Sequence, residues 1–349
     1  MERYIGMDVH AVSCTLGVLD AKGKRPRRDV VETNGRALLE YLRSVPGTLH
    51  LCLEESEWAP WRWEILSPHV AEMVVVRGER KKGSKSDAVD AHGLAERLSS
   101  GQIKSPVFKA PRPFAKLREL ARVYGMVTQD LARSKNRLKS CFRRRGVEGQ
   151  GTRVYGAKGR AEGLRQLPAA LRGPVEMLGE QLERLAALKS RAESAMVEES
   201  RRHRISRLLE TVPGLGPARV AQLPPIVVTP PRFRTKRQFW SYSGFGVVTR
   251  SSGDWVRVDG QWTRGRVAQP RGLNVNYNRT LKMIFKGAAT TVIAHGGANP
   301  FREAYERLCE QGTKPNLAKL TVARKIAATV LAMWKSQEVY DPTRRGVPI

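Results

Sequence analysis

Ile5-Gly6-Met7-Asp8-Val9 sets an aspartate inside an apolar, strand-forming run. Aspartate is depleted in strands, and a buried carboxylate must find a partner worth its lost hydration. A metal ion is one such partner. Outward from this stretch, Tyr4–Val9 predicts a strand, Val12–Leu19 a second and Asp29–Glu32 a third. Asn34 has the side chain of a helix cap, ahead of helical spacing over Gly35–Leu42. Leu49–Leu53 alternates as a strand with apolar residues at 49, 51 and 53. Trp61–Leu66 reads as a short helix, Met73–Val76 as an apolar β-branched run, and Ser86–Leu98 as a helix capped by Ser86. Hairpin strands followed by strand–helix alternation predict an α/β domain with a mixed sheet over residues 1–108.

Three further carboxylates fall at telling places in this domain. Glu54 directly follows the Leu49–Leu53 strand, so it stands at a strand end. Asp87 and Asp90 are three residues apart at the start of the Ser86 helix, hence on one helical face. With Asp8, they give oxygen ligands on two strands and one helix. Hard Mg²⁺ prefers oxygen and keeps several waters. Two such ions can clamp both oxygens of a phosphodiester displacement. Each residue also has an ordinary reading: Asp87 suits a helix N-terminus by the macrodipole alone, Asp90 can pair with a lysine of the preceding loop, and Glu54 and Glu55 can simply be solvated.

Charge points the same way. The chain of 349 residues carries 62 Lys and Arg against 33 Asp and Glu, a formal net charge of +29. Such an excess repels itself in any compact state, and a polyanionic partner explains it. The basic residues are spread along the chain, which favours nucleic acid over a membrane surface. No apolar run is long enough to span a bilayer and no signal-peptide core opens the chain. Cys14, Cys52, Cys141 and Cys309 are far apart without metal-ligand spacing, and read as reduced thiols of a cytoplasmic protein.

Residues 109–205 read as a basic helical, coiled-coil region. Leu117, Leu120, Tyr124, Val127, Leu131 and Leu138 recur at steps that make a heptad seam. Arg133, Lys135, Arg137, Lys139 and the run Arg143, Arg144, Arg145 line its outer faces as candidate nucleic-acid contacts. Gly-rich residues 146–163 break the pattern. A second seam follows at Val175, Leu178, Leu182, Leu185, Ala192 and Met196. The two seams predict a long helical hairpin, arms that pair between subunits, or two packed helices of a globular domain.

Residues 206–349 read as a mainly helical unit, with helices over Leu281–Ile293 and Leu317–Trp334 and a hairpin or loop over 249–272. Val212-Pro213-Gly214-Leu215-Gly216-Pro217-Ala218 looks like the hairpin of a helix-hairpin-helix, in which Gly214 and Gly216 let backbone N–H groups approach a phosphate. An ordinary turn between helices fits it equally. The loop Arg80-Lys81-Lys82-Gly83-Ser84-Lys85 precedes the acidic helix; Lys81, Lys82 and Lys85 can hold a strand backbone there, or simply be solvated. Trp58, Trp61 and Trp63 can stack on bases or pack in the core.

The strings Gly6-Met7-Asp8-Val9-His10, Leu53-Glu54-Glu55-Ser56 and Ser86-Asp87-Ala88-Val89-Asp90-Ala91 resemble the DEDD transposases of the insertion-sequence family numbered one hundred and ten. So do Thr249-Arg250-Ser251-Ser252-Gly253-Asp254, Arg271-Gly272-Leu273-Asn274, Phe285-Lys286-Gly287-Ala288-Ala289 and Ala323-Arg324-Lys325-Ile326-Ala327. The resemblance covers most of the chain in order. It implies a RuvC-like ribonuclease H fold in the first domain, with Asp8, Glu54, Asp87 and Asp90 as catalytic Mg²⁺ ligands. The chain departs from the family at Glu55 and Glu57, so Glu55 stays the alternative to Glu54. The resemblance also implies a C-terminal transposase domain with a serine nucleophile, Ser252, for which Ser251 is the alternative. Read from the residues themselves, Arg250, Arg257 and Arg264 are near enough in sequence to hold a phosphate. From the residues alone, Ser-Ser-Gly is a turn. Further implied are donor and target DNA as substrates, a structured noncoding guide RNA encoded by the element, and a homo-oligomer, dimer or tetramer. A Holliday-junction-type nuclease using the same carboxylates, and a non-catalytic nucleic-acid-binding protein, are the alternatives.

Overall fold

The computed structural model describes residues 1–20, 27–78, 87–104, 106–107, 114–147, 151–250, 255–264, 269–295, 297 and 299–343, with backbone alone at 87–88, 250, 264 and 269–271. The loop with Lys81, Lys82 and Lys85, the expected cap Ser86, and both Ser251 and Ser252 lie outside the described residues. The chain forms two compact units, Met1–Pro113 and Phe114–Ile349.

The first unit runs β1 (Glu2–Val9), β2 (Ser13–Asp20), β3 (Arg27–Glu32), α1 (Gly35–Ser44), β4 (Thr48–Glu54), α2 (Ala59–Leu66), β5 (Glu72–Val76) and α3 (Asp87–Ser99). The expected elements are present. Asn34 caps α1, its side-chain oxygen accepting the Ala37 N–H at 2.8 Å. The sheet order is β3-β2-β1-β4-β5. β1, β2 and β3 pair antiparallel as a meander, and β4 and β5 add in parallel beside β1. This mixed five-stranded sheet is compatible with a RuvC-like domain.

Strand alternation divides the unit into two layers. Ile5, Met7, Leu51, Leu53 and Val75 face a core with Leu38 and Leu42 of α1 and Leu66 of α2. Tyr4, Cys52, Val74 and Val76 face the other way and pack with Leu94 and Leu98 of α3. Burial there pushes the Cys52 thiol up to about 12, so it stays protonated. All four cysteines are free thiols.

Glycine lets α3 come down onto the sheet. A Cβ on Gly6 would stand 1.9 Å from the Ala91 carbonyl oxygen, and one on Gly17, its cross-strand partner, 2.9 Å from the His92 nitrogen. Only a residue without a side chain permits helix backbone at that distance.

The second unit begins with α4 (Ala115–Arg143), α5 (Ala157–Arg165) and α6 (Ala169–Arg201). α4 packs along α6, so the two seams meet within one chain as a helical hairpin. Leu131, Leu138 and Phe142 share a core with Val175 and Leu182, and Leu117 meets Met196 nearer the other end. The Gly-rich interval carries a short helix, α5, that periodicity did not suggest. Its glycines serve packing: a Cβ on Gly163 would lie 2.8 Å from the Phe142 ring, and one on Gly159 2.3 Å from the Arg153 carbonyl oxygen.

The unit continues with α7 (Arg204–Leu209), α8 (Pro217–Val220), α9 (Pro224–Val227), α10 (Lys236–Tyr242), β6 (Val247–Arg250), β7 (Trp255–Val258), β8 (Gln261–Arg264), β9 (Gln269–Leu273), α11 (Arg279–His295), α12 (Pro300–Glu310) and α13 (Pro315–Ser336). The helices gather around α13, whose Val322, Ala323, Ile326, Ala327, Val330 and Leu331 are buried. α12 was not anticipated; Asn299 caps it by accepting the Phe301 and Arg302 N–H groups at 3.0 Å each. Strands β6 and β9 pair antiparallel, as do β7 and β8; of the hairpin or loop expected over 249–272, the described residues 255–264 form a hairpin. Among the described residues, no helix is long and apolar enough to cross a membrane.

Candidate active site

The layer that receives α3 also receives the carboxylates. Asp8 follows Gly6 by two residues, so both lie on the α3 face of β1. Glu54 follows Cys52 by two, on the same face of β4. The parallel register pairs Met7 with Leu53; one further step sets Asp8 beside Glu54. Glu55 lies past the strand and is exposed, its N–H bonded to the Val76 carbonyl at 2.7 Å.

α3 descends antiparallel to β1, with Ala91 against Gly6 and Leu98 in the cluster with Tyr4. Its first turn, carrying Asp87 and Asp90, therefore starts at the sheet edge where Asp8 and Glu54 stand. Asp87 opens the helix, and its side chain is not among those described. Asp90 is partly buried.

Asp8 is half-buried. Its Oδ1 accepts the Val9 N–H at 2.9 Å and its Oδ2 lies 3.3 Å from His10 Nε2. Glu54 rests against Gly78, where an added Cβ would come within 2.9 Å of Oε2. Backbone without a side chain thus borders the carboxylate. Among the described residues, no three His, Cys, Asp or Glu side chains converge closely enough to hold a metal ion. Asp8 and Glu54 supply hard oxygen donors at one edge, the donor chemistry that Mg²⁺ takes.

On α4, Arg133, Arg137 and Arg143 are exposed, as are Arg144 and Arg145 in the turn that follows it, while Lys135 and Lys139 are partly covered. Arg133 pairs with Asp130 at 3.1 Å, and the Lys135 ammonium sits 5.2 Å from the centre of the Tyr155 ring. Gly214 takes a positive φ of 81° and lies against α11: a Cβ there would meet the Ala288 carbonyl oxygen at 2.6 Å. Its own carbonyl accepts Arg219 Nη1 at 2.8 Å. Gly216 caps α8 with open space around it. Within the Phe285–Ala289 string, Ala288 is therefore the residue on which this turn rests. Ala323–Ala327 lies in α13, where the Arg324 carbonyl accepts Trp240 Nε1–H at 2.9 Å and Arg324 Nε donates to the Phe245 carbonyl at 3.0 Å.

Trp58 and Trp61 are neither core nor free. Each is about two-fifths exposed, and their rings lie 5.1 and 5.6 Å from the guanidinium of Arg62, which is wholly buried. Trp63 packs partly buried against the first core. Sequence reading passed over Trp255 and Trp262, both more than half exposed on the β7–β8 ribbon. The available signal was Asp259-Gly260 between alternating segments, the pattern of a tight hairpin that shows one face of each strand.

Residues 5–145 match the DEDD transposases of IS110 type, described as "Transposase". Residues 206–306 match "Transposase IS116/IS110/IS902 family". Together the two stretches take in about two thirds of the chain. The chain belongs to the IS110 family of transposases. The first match holds Asp8, Glu54, Asp87, Asp90 and the basic helix α4 with Arg144 and Arg145 after it; the second holds the turn at Gly214 and the serine segment. The chain is also similar to "Insertion element IS116 uncharacterized 44.8 kDa protein" of Streptomyces clavuligerus, 26% identical over 137 residues. That stretch is 39% of this chain and 31% of the relative, so the likeness spans about a third of the relative's length.

Proposed function

We propose that this IS110-family chain is a DNA transposase that cuts and rejoins strands with two catalytic parts, a carboxylate site in the RuvC-like unit and Ser252. The observation that carries this reading is the placement of Asp8 and Glu54 side by side on one sheet face, at the edge where the helix bearing Asp87 and Asp90 begins. Asp8, Glu54, Asp87 and Asp90 would hold Mg²⁺, which supplies charge neutralisation at the phosphodiester oxygens when bound. The carboxylates would fix its position, and His10, whose Nε2 lies 3.3 Å from Asp8 Oδ2, would orient that carboxylate.

Ser252 Oγ attacks a DNA phosphorus. An Oγ–P bond forms, a P–O bond to one deoxyribose breaks, and the released hydroxyl takes up a proton. A hydroxyl of a second strand then attacks the phosphoserine, giving up its proton as Ser252 leaves. The number of phosphodiester bonds is conserved, so no external energy source is required. Arg250, Arg257 and Arg264 would hold the phosphate near the serine. Lys81, Lys82 and Lys85, the basic face of α4, and the hairpin at Gly214 and Gly216 would hold the backbone of donor DNA, target DNA and a structured guide RNA. Base pairing to that RNA would choose the sites, which leaves the protein to read shape and phosphates. An oligomer would make the several breaks at one synapse.

Asp8→Asn and Glu54→Gln test the carboxylate half. Both should lose Mg²⁺-dependent cleavage and keep DNA binding, which rests on the charge of +29. Cleavage at the parent rate in both variants would remove the carboxylate site from the account.

A further inference from the structure

The β7–β8 ribbon exposes what folded chains usually cover. Val258 pairs with Gln261 across a two-residue turn, Asp259-Gly260, whose φ angles are 49° and 79°. Both values lie in the left-handed region that a tight primed hairpin turn requires. Opposed residues of an antiparallel pair share a face. Trp255 is opposite Arg264 and Arg257 is opposite Trp262, so the two tryptophans and Arg257 lie on one face. Val256, Val258, Gln261 and Thr263 lie on the other.

Neither face is buried: Trp255 is 57% exposed, Trp262 65%, Val256 44% and Val258 51%. Isolated two-stranded ribbons are marginal in water, and one with tryptophan facing solvent gains by being covered. The cover is polyanionic by charge: Arg257 lies on the same face beside both tryptophans, opposite Trp262, with its Nε donating to the Gly260 carbonyl at 3.3 Å, the register sets Arg264 opposite Trp255, and the chain carries +29. It also has flat apolar faces, because diagonal positions on a ribbon lie about 7–8 Å apart. That is roughly two stacking intervals of about 3.4 Å, room for one planar ring between two indoles. A duplex hides the faces of its bases; an unpaired strand offers them.

The geometry points to the β7–β8 ribbon as a clamp for unpaired DNA, in which Trp255 and Trp262 stack on a base and Arg257 meets the neighbouring phosphate. The choice of DNA rests on the function proposed above: strand exchange leaves bases unpaired beside the break, and in sequence the ribbon follows Ser252 directly. The ribbon would then keep the cut strand from re-annealing until its new partner arrives.

The test measures binding by the full chain without Mg²⁺, so cleavage does not enter. The probes are fluorescein-labelled oligo(dT), a labelled duplex, oligo(U) and phosphatidylserine vesicles. Replacing Trp255 and Trp262 together by alanine should weaken oligo(dT) binding about tenfold or more, as loss of base stacking does. Duplex binding should change little. Trp255→Phe with Trp262→Phe should restore most of the affinity, and Val256→Thr with Val258→Thr on the opposite face should leave it unchanged. These positions are exposed, so thermal melting should match the parent. Parent-like oligo(dT) binding by the double alanine variant would overturn the clamp, and so would equal losses on duplex and unpaired DNA. A loss seen mainly with oligo(U) or with vesicles would replace DNA by RNA or a lipid surface. A chain that fails to cleave DNA yet shows the expected loss would refute the transposase chemistry and leave the clamp standing.

Discussion

Gly6→Ala tests how the fold holds the site. A Cβ there would lie 1.9 Å from the Ala91 carbonyl oxygen, 2.6 Å from the Ala95 nitrogen and 2.8 Å from Leu94 Cβ. Two of these neighbours are helix backbone, which cannot swing aside as a side chain can. Ordinary contact starts near 3.4 Å, so α3 must retreat from β1 by about 1.5 Å, an overpacking of the kind that costs about 1–3 kcal/mol. The retreat also carries Asp87 and Asp90 away from Asp8, and about 1 Å of misplacement at reacting groups lowers a rate about 100-fold. Urea unfolding of the full chain, followed through the first unit's transition, should show the lost stability. A strand-cleavage assay on labelled DNA should show the lost rate, with DNA binding intact. The control is Gly125→Ala in α4, where an added Cβ meets nothing within 4 Å; it should stabilise by roughly 0.5–1 kcal/mol through helix propensity. Parent-like stability and cleavage in Gly6→Ala would refute the close helix–strand contact as the device that sets the carboxylates.

Two further outcomes follow from buried charge. Arg62 is fully buried, with the Cys14 sulfur as its only polar partner among the described residues, and burial lowers its pKa; Arg62→Met should therefore leave the first unit as stable or more stable by about 1–4 kcal/mol, read by urea unfolding, and a large destabilisation would show that stacking under Trp58 and Trp61 dominates. His50 is mostly buried, which disfavours its charge, yet bonds to Glu72 at 2.9 Å and Glu2 at 2.6 Å raise its pKa overall. Its stabilisation is thus full below the ordinary histidine value of about 6.5 and lost as pH rises through the raised one; melting temperature should fall across that window in the parent, and His50→Gln should flatten the fall.

Much of the first unit was legible because its signals are local. Alternation at 49, 51 and 53 and the cap at Asn34 need no knowledge of the rest of the chain, and Asp8 stood out as a carboxylate in an apolar strand. The adjacency of Asp8 and Glu54 was not legible, since it depends on a parallel register between strands some 46 residues apart. Gly6 and Gly17 looked like ordinary strand residues until the helix was seen resting on them. α5 was hidden by glycines, which lower helix propensity but here make room for Phe142 and Arg153. α12 had a readable start at Asn299-Pro300 that was overlooked. The exposure of Trp255 and Trp262 is a tertiary fact, since the same residues on a covered ribbon would be core.

The most direct measurement traps the covalent intermediate. The full chain is incubated with labelled donor and target DNA, the element's RNA and Mg²⁺, then denatured, digested and analysed by mass spectrometry for nucleotide-bearing peptides. The account predicts a phosphodiester link on Ser252, absent from Ser252→Ala, little changed in Ser251→Ala, and absent from Asp8→Asn although that variant still binds DNA. Free nicked ends without a protein adduct, or an adduct that survives loss of both Ser251 and Ser252, would contradict it.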